Sequence, residues 1–184
     1  MQRIRVDRRI IIKNLIFLLV LVALILIDQI TKTVVKNLYE NSGWVYTSVI
    51  SGFFEFRYAF NTGAAFSFLA DASWGQIFFK ILTSIALVAF YIYYVYVCKK
   101  GYTFLRIAMI IVIAGTIGNL IDRLAYNGVV DFLSFTFGAY KFPIFNLADT
   151  YMTIGAIMVV VHYFFLDENA IFTKKNDKKT VSDK

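Results

Sequence analysis

Apolar residues collect along this chain in four long blocks, at about 10–27, 77–97, 104–121 and 147–166. Each comes close to the roughly 20 residues that a helix needs to cross the hydrocarbon core of a bilayer. The pattern predicts four membrane-spanning helices. Lys13 near the start of the first block and Lys80 near the start of the second can snorkel towards headgroups. The first block is too long for the apolar part of a signal peptide. Asp28, Gln29, Thr31 and Lys32 follow it in place of a small-residue cleavage site, so it reads as a retained helix. Between the first and second blocks the period changes. In FFEFRYAF, residues 53–60, Phe54, Phe56, Tyr58 and Phe60 alternate with Glu55, Arg57 and Ala59. That is the period of a half-buried strand, and Gly43 and Gly52 punctuate the segment before it. A small twisted sheet is expected there, its aromatic face towards lipid or the helices, with Trp44 and Trp74 in an interfacial belt.

Composition fits this pattern. Of 184 residues 59% are hydrophobic, above the roughly half expected of a soluble domain, and mean hydropathy is +0.67. The single cysteine, Cys98, leaves no internal disulfide, and no Cys/His spacing suggests a metal site. No metal or cofactor is expected, and the lone His162 reads as an interfacial side chain.

Charge sets an orientation. Basic residues cluster in the N-terminal tail (Arg3, Arg5, Arg8, Arg9, Lys13), between the second and third blocks (Lys99, Lys100, Arg106), and in the C-terminal tail (Lys174, Lys175, Lys178, Lys179, Lys184). With four spans these segments share one side, which the positive-inside rule assigns to the cytoplasm. The connections at about 29–76 and 122–146 then lie outside. The expected architecture is a mainly α-helical membrane protein: four transmembrane helices with a small extracytoplasmic β-sheet, or cradle, between helices 1 and 2. It forms a single integral-membrane domain over 1–184, with basic cytoplasmic tails at 1–9 and 167–184 and a four-helix core at 10–166. The lysine-rich stretch after Phe172 is expected to be disordered. The net charge of +7 is mostly an orientation signal, and the tails can touch anionic lipid; nucleic acid is not an expected partner.

Polar residues gather near the outer boundary. Asp28 and Lys32 are four apart and can pair on one helix face. Asn61 and Gly63 follow the strand in NTGAAF. In GTIGNLIDR, Gly115 and Gly118 permit close helix packing, and Asn119, Asp122 and Arg123 share one face. In FNLAD, Asn146 and Asp149 stand as N-cap and third helical residue, a capping arrangement. A helix-end ion pair, a helix anchor, a glycine turn and a cap would account for most of these. Asp131 in VVDF is harder to dismiss. Val129, Val130, Phe132 and Leu133 flank it with no adjacent base, so it needs a partner from elsewhere in the fold.

Polar groups at this depth tend to mark function. Two carboxyls brought together share a proton, so one can act as general base and the other as general acid, activating water against an amide without a metal. No serine or cysteine nucleophile candidate has a base beside it, and phosphate-loop and dinucleotide glycine patterns are absent. The residues alone fit an aspartic hydrolase and a proton-coupled transporter about equally. The second and third helices carry no acid near mid-span, which argues against a proton path.

Five blocks in order, DQITK at 28–32, NTGAAF at 61–66, GTIGNLIDR at 115–123, VVDF at 129–132 and FNLAD at 145–149, closely resemble the bacterial lipoprotein signal peptidases (signal peptidase II) over residues 11–166. The resemblance implies an aspartic endopeptidase of the bacterial cytoplasmic membrane, with cytoplasmic termini and its active site near the extracytoplasmic face. Such an enzyme removes the signal peptide of prolipoproteins on the amino side of a diacylglyceryl-modified cysteine. It implies Asp131 and Asp149 as the catalytic pair, Asn61, Asn119 and Arg123 as substrate contacts, and Asp28, Lys32, Asp122 and Asn146 as support. The implied partners are lipid-modified prolipoproteins, membrane lipid and the inhibitor globomycin, and a monomer is expected. Asp149 in a first helical turn favours negative charge and Asp131 among apolar neighbours favours the neutral form. The resting pair is therefore expected to hold Asp149 ionised and Asp131 protonated.

Overall fold

Four helical segments, each long and apolar enough to cross a membrane, dominate residues 8–63 and 74–167, which the computed structural model describes. They are α1 (Arg8–Ser42), α2 (Gly75–Lys100), α3 (Thr103–Tyr126) and the segment Leu147–Leu166, built from α4 (Leu147–Val161) and a π turn (His162–Leu166). Residues 64–66 of NTGAAF and most of both basic tails lie outside the described residues. Gly101 ends α2 in the left-handed conformation at φ 77°, and the short link to Thr103 leaves α2 and α3 as neighbours running back to back.

The α1 helix does not stop where its apolar run does. It continues through Asp28 and Lys32 to Ser42, so the connection expected from about 29 begins only at Gly43, whose φ is 66°. Two features sustain the extension. Lys36 and Glu40 pair four residues apart at 2.9 Å, and Val35 buries against Val130 and Phe132. Of the two tryptophans expected in the interfacial belt, Trp44 packs on that small cluster and donates its indole N–H to Thr47, while Trp74 is exposed beside Phe78.

The sheet has four antiparallel strands in the order β1 (Tyr46–Ile50), β2 (Phe54–Asn61), β3 (Val129–Phe137) and β4 (Tyr140–Lys141). The alternating segment at 53–60 is β2. The sheet also takes two strands from the connection between α3 and α4. Alternation could not announce β3, because Val129, Val130, Asp131 and Phe132 are all buried and its start reads as a continuous run. The register sets Asn61 opposite Val129 and Ala59 opposite Asp131, with a bulge between Phe56 and Ala59.

The central helix is α3, which packs against α1, α2 and α4 and carries most of the buried core; the apolar faces of α1 and α2 point outwards. Close approach of α3 and α4 depends on missing side chains. A Cβ on Gly115 would overlap the Ala148 carbonyl and the Met152 side chain. One on Gly118 would lie 2.5 Å from Asp28 Oδ2 and 3.2 Å from the Ala148 Cβ. At the end where α1 begins, Lys13 donates to Thr103 at 2.9 Å and Arg106 to Asn14 at 2.8 Å. His162 is buried there against Tyr102 and Phe104. At the opposite end, where the sheet sits, Lys80 donates to Asn127 at 2.7 Å.

Gly115→Ala is expected to destabilise the fold by about 1–3 kcal/mol, since the new methyl meets backbone that cannot move aside. Thermal unfolding in detergent checks this, and an unchanged midpoint would contradict the tight α3–α4 packing.

Candidate active site

The start of α4, the last turns of α3, the middle of α1 and the first residues of β3 meet at the sheet end of the bundle. Asn146 caps α4: its Oδ1 accepts from the Asp149 N–H at 3.0 Å, and its own N–H donates to Asp149 Oδ2 at 3.1 Å. This reciprocal pair satisfies two of the amides that a helix start leaves unbonded. The cap then does something further. Asn146 Nδ2 donates to Asp131 Oδ1 at 2.7 Å and lies 3.1 Å from Asn119 Oδ1. One asparagine therefore touches both aspartates, joining FNLAD to VVDF.

Each carboxyl has a second amide partner. Asn61 Nδ2 donates to Asp131 Oδ2 at 3.0 Å, and the Asn61 Oδ1 is itself held by the Gly63 N–H at 2.9 Å. Asn119 Nδ2 donates to Asp149 Oδ1 at 2.7 Å. Behind Asn119, the Lys32 ammonium donates to its Oδ1 at 2.9 Å and pairs with Asp28 at 2.9 Å and Asp122 at 3.3 Å. Asp28, Lys32, Asp122 and the neutral Asn146 are almost fully buried, which charged groups tolerate only when paired and polar groups only when hydrogen-bonded. Arg123 donates to the Asn119 carbonyl at 3.3 Å and lies over the Phe79 ring. Every candidate residue named from the sequence belongs to this one connected cluster.

A cavity of about 540 Å³ opens on the cluster. Asp131, Asp149, Asn61, Asn119 and Arg123 line it, opposite an apolar wall that includes Phe142, Pro143, Ile144 and Phe145. Asp28, Lys32, Asp122 and Asn146 do not line it; they stand behind the groups that do. Burial, and next the charge of Asp149, push the Asp131 carboxyl up from its ordinary value to about 7; the hydrogen bonds from Asn61 and Asn146 and the charge of Lys32 oppose the shift. Near neutral pH Asp131 thus exchanges its proton readily, the condition for a carboxyl that gives and takes protons. Among the described residues, no group of three or more His, Cys, Asp or Glu side chains is placed to hold a metal ion.

Two contributors escaped the sequence reading. Gln29 donates to Asp122 at 3.0 Å, to the Gly118 carbonyl at 3.1 Å and to Asp28 at 3.2 Å, closing the cluster from α1. Its three-residue spacing from Lys32 was the available signal. The wall at 142–145 is fixed through the Phe145 carbonyl, which accepts from the Phe132 and Leu133 N–H groups at 3.0 and 2.7 Å. The signal there was the only proline of the chain, Pro143, two residues before the FNLAD block.

A family model described as signal peptidase (SPase) II matches residues 20–165. A lipoprotein signal peptidase of Ectopseudomonas mendocina is 38% identical over 160 residues, which is 85% of this chain and 92% of that protein. Another, from Maridesulfovibrio salexigens, is 38% identical over 145 residues, 78% of this chain and 91% of the relative. A bacterial membrane enzyme solved by the in meso method at 1.9 Å resolution matches in fold with a TM-score of 0.67 at 33% identity, over 82% of this chain and 94% of its own.

Infrared titration of the carboxyl bands should show Asp131 losing its proton around pH 7, and at lower pH in Asp149→Asn, which removes the like charge. An unfolded aspartate ionises near 4, so between about pH 4 and 7 the folded chain holds a proton that the unfolded chain has lost. Asp131 therefore makes the fold less stable as pH rises through that window. Asp131→Asn should flatten this slope in chemical unfolding curves, and an unchanged slope would show that Asp131 titrates normally.

Proposed function

Because the chain belongs to the signal peptidase II family, we propose that it is an aspartic endopeptidase that removes the signal peptide from prolipoproteins, cleaving on the N-terminal side of a diacylglyceryl-modified cysteine. The observation that carries this reading is the Asn146 bridge, which holds two carboxyls of unlike surroundings at one cavity. In the proposed reaction a water molecule lies between Asp131 and Asp149. The Asp149 carboxylate takes a proton from the water as its oxygen attacks the peptide carbonyl. Asp131 gives its proton to the carbonyl oxygen, forming a neutral tetrahedral diol. Asp149 then protonates the leaving amine while Asp131 recovers a proton from the diol, so the carbonyl reforms and the pair is reset. Neither step needs a metal or cofactor.

Asn61, Asn119 and Arg123 are the proposed substrate contacts. Arg123 presents its charge to the cavity without a carboxylate of its own among the described ion pairs, so it is free to hold substrate carbonyls. The apolar wall suits the lipid-bearing, apolar side of the scissile bond. The membrane holds the substrate by its signal helix and diacylglyceryl group, so a short stretch of peptide has to fit. The basic segments support an orientation in the bacterial cytoplasmic membrane with both termini in the cytoplasm and the cavity near the extracytoplasmic face. The proposed enzyme works as a monomer, and globomycin would compete for the same cavity.

Purified protein incubated with a lipid-modified prolipoprotein should release the signal peptide, and globomycin should block release. Asp131→Asn and Asp149→Asn should each reduce the rate by at least roughly 100-fold, the scale of general acid–base catalysis. Uncut substrate, or near wild-type cleavage by both variants, would refute the reading.

A further inference from the structure

Lys32 stands outside the cavity, 2% exposed, yet it is tied to both sides of it. Its ammonium pairs with Asp28 at 2.9 Å and Asp122 at 3.3 Å. Each of those carboxylates also holds a backbone amide. Asp28 Oδ1 accepts from the Ala148 N–H at 2.9 Å, and Asp122 Oδ2 accepts from the Val130 N–H at 3.1 Å. Ala148 directly precedes Asp149, and Val130 directly precedes Asp131. One cation thus clamps two anions, and each anion fixes the chain one residue ahead of a cavity carboxyl. A third arm reaches the pair from the side. By donating to Asn119 Oδ1 at 2.9 Å, Lys32 fixes the sense of that amide, so that its Nδ2 faces Asp149 at 2.7 Å.

We propose that Lys32 is a positioning residue for peptide hydrolysis: its ammonium, acting through Asp28, Asp122 and Asn119, sets the separation and mutual orientation of Asp131 and Asp149. The proposal rests on the aspartic reading above. A simple ion pair at a helix end would account for Asp28 with Lys32 alone. It would not account for two carboxylates that both grip the amide preceding a cavity aspartate. Backbone bonds between Phe145 and both Phe132 and Leu133 already join the strand β3 to the lead-in of α4, and the Lys32 clamp adds a second tie, through Val130 and Ala148, at the residue before each carboxyl. A shared proton needs the relative position of the two carboxyls held to a fraction of an ångström.

The charge of Lys32 also bears on the proton itself. The groups facing Asp131 are Asn61 from β2, Asn146 and Asp149 at the start of α4, Asp122 and Arg123 from α3, and Lys32 from α1. Removing the ammonium takes away a positive charge that favours ionised Asp131. Its proton should then come off at higher pH.

The test measures kcat, KM, thermal midpoint and pH–rate profile for Lys32→Met and for the double variant Lys32→Met with Asp122→Asn. A lipid-modified prolipoprotein is the substrate, and Asp131→Asn and Asp149→Asn run alongside. In Lys32→Met, kcat should fall on the order of 100-fold with KM within about threefold, because the loss is of geometry at the reacting atoms and not of binding. The pH limb belonging to Asp131 should move upwards. Lys32→Met also leaves two buried carboxylates without their cation, which destabilises the fold. The double variant removes one of them while an amide oxygen at that position still accepts from Val130. It should regain thermal stability without regaining turnover. Recovery of kcat in step with stability would reduce Lys32 to a structural ion pair and overturn the proposal, as would an unmoved pH limb or near wild-type kcat in Lys32→Met. If Asp131→Asn and Asp149→Asn cleave normally, the aspartic reading falls and takes the positioning role with it. If those two are inactive while the Lys32 variants are not, only the positioning role falls.

Discussion

The structure depends on one constraint: a charged group taken out of water must meet its complement inside the protein. This chain buries Asp28, Lys32, Asp122 and Asp131 in a bundle whose other buried side chains are mostly apolar. None of them could stay there singly. The complements come from five separate elements, α1, α3, β2, β3 and the start of α4, so the elements must converge, and the convergence is what places the cavity. Gly115 and Gly118 let α3 and α4 approach closely enough for Asp28 to reach the Ala148 amide between them. The polar cluster and the small-residue packing are therefore two halves of one arrangement. A side chain at Gly118 would displace Asp28, and with it the partner that lets Lys32 remain buried.

Much of this was legible in the sequence, and the misses have physical causes. The four spans followed from apolar length, and β2 from strict alternation of aromatic with polar residues. The end of α1 was misread because Asp28, Gln29, Thr31 and Lys32 look like a helix leaving the membrane. Asp28, Gln29 and Lys32 are polar because they face the interior cluster, Thr31 bonds back to the carbonyls of its own helix, and the helix carries on beneath them to Ser42. Alternation could not reveal β3, since it disappears where a strand is covered on both faces. The candidate residues were legible because each sat in a recognisable block. The sequence could not supply the connections: which amide bridges which carboxyl, or that Gln29 and the wall around Pro143 complete the site. Those contacts join residues as far apart as Asp28 and Ala148, beyond any local spacing rule.

FNLAD shows how an ordinary device serves chemistry. A helix cap uses Asn146 Oδ1 and the Asn146 N–H, and leaves the side-chain amide nitrogen unspent. Here that nitrogen reaches Asp131. The requirement that α4 start cleanly and the requirement that two carboxyls be held together fall on the same side chain. Burial raises the proton affinity of Asp131, and the cap keeps Asp149 beside it. A carboxyl with an unusual proton affinity and a neighbour within reach of the same amide arise here from packing and capping.

The uninterrupted course of α1 has a consequence for how this protein can vary. The helix carries Gln29 and Lys32 into the polar cluster and, one turn later, Val35 into the apolar contact beneath the sheet. At 35 residues it is about 50 Å long, well beyond a hydrocarbon core of about 30 Å. Sheet and cluster are keyed to the same rigid rod, in height and in rotational phase. An insertion of one residue between them would turn one against the other by about 100°. Length changes in this part of the chain are therefore closed to gradual evolution, and diversification of the sheet has to proceed by substitution or through the loops that begin after Ser42.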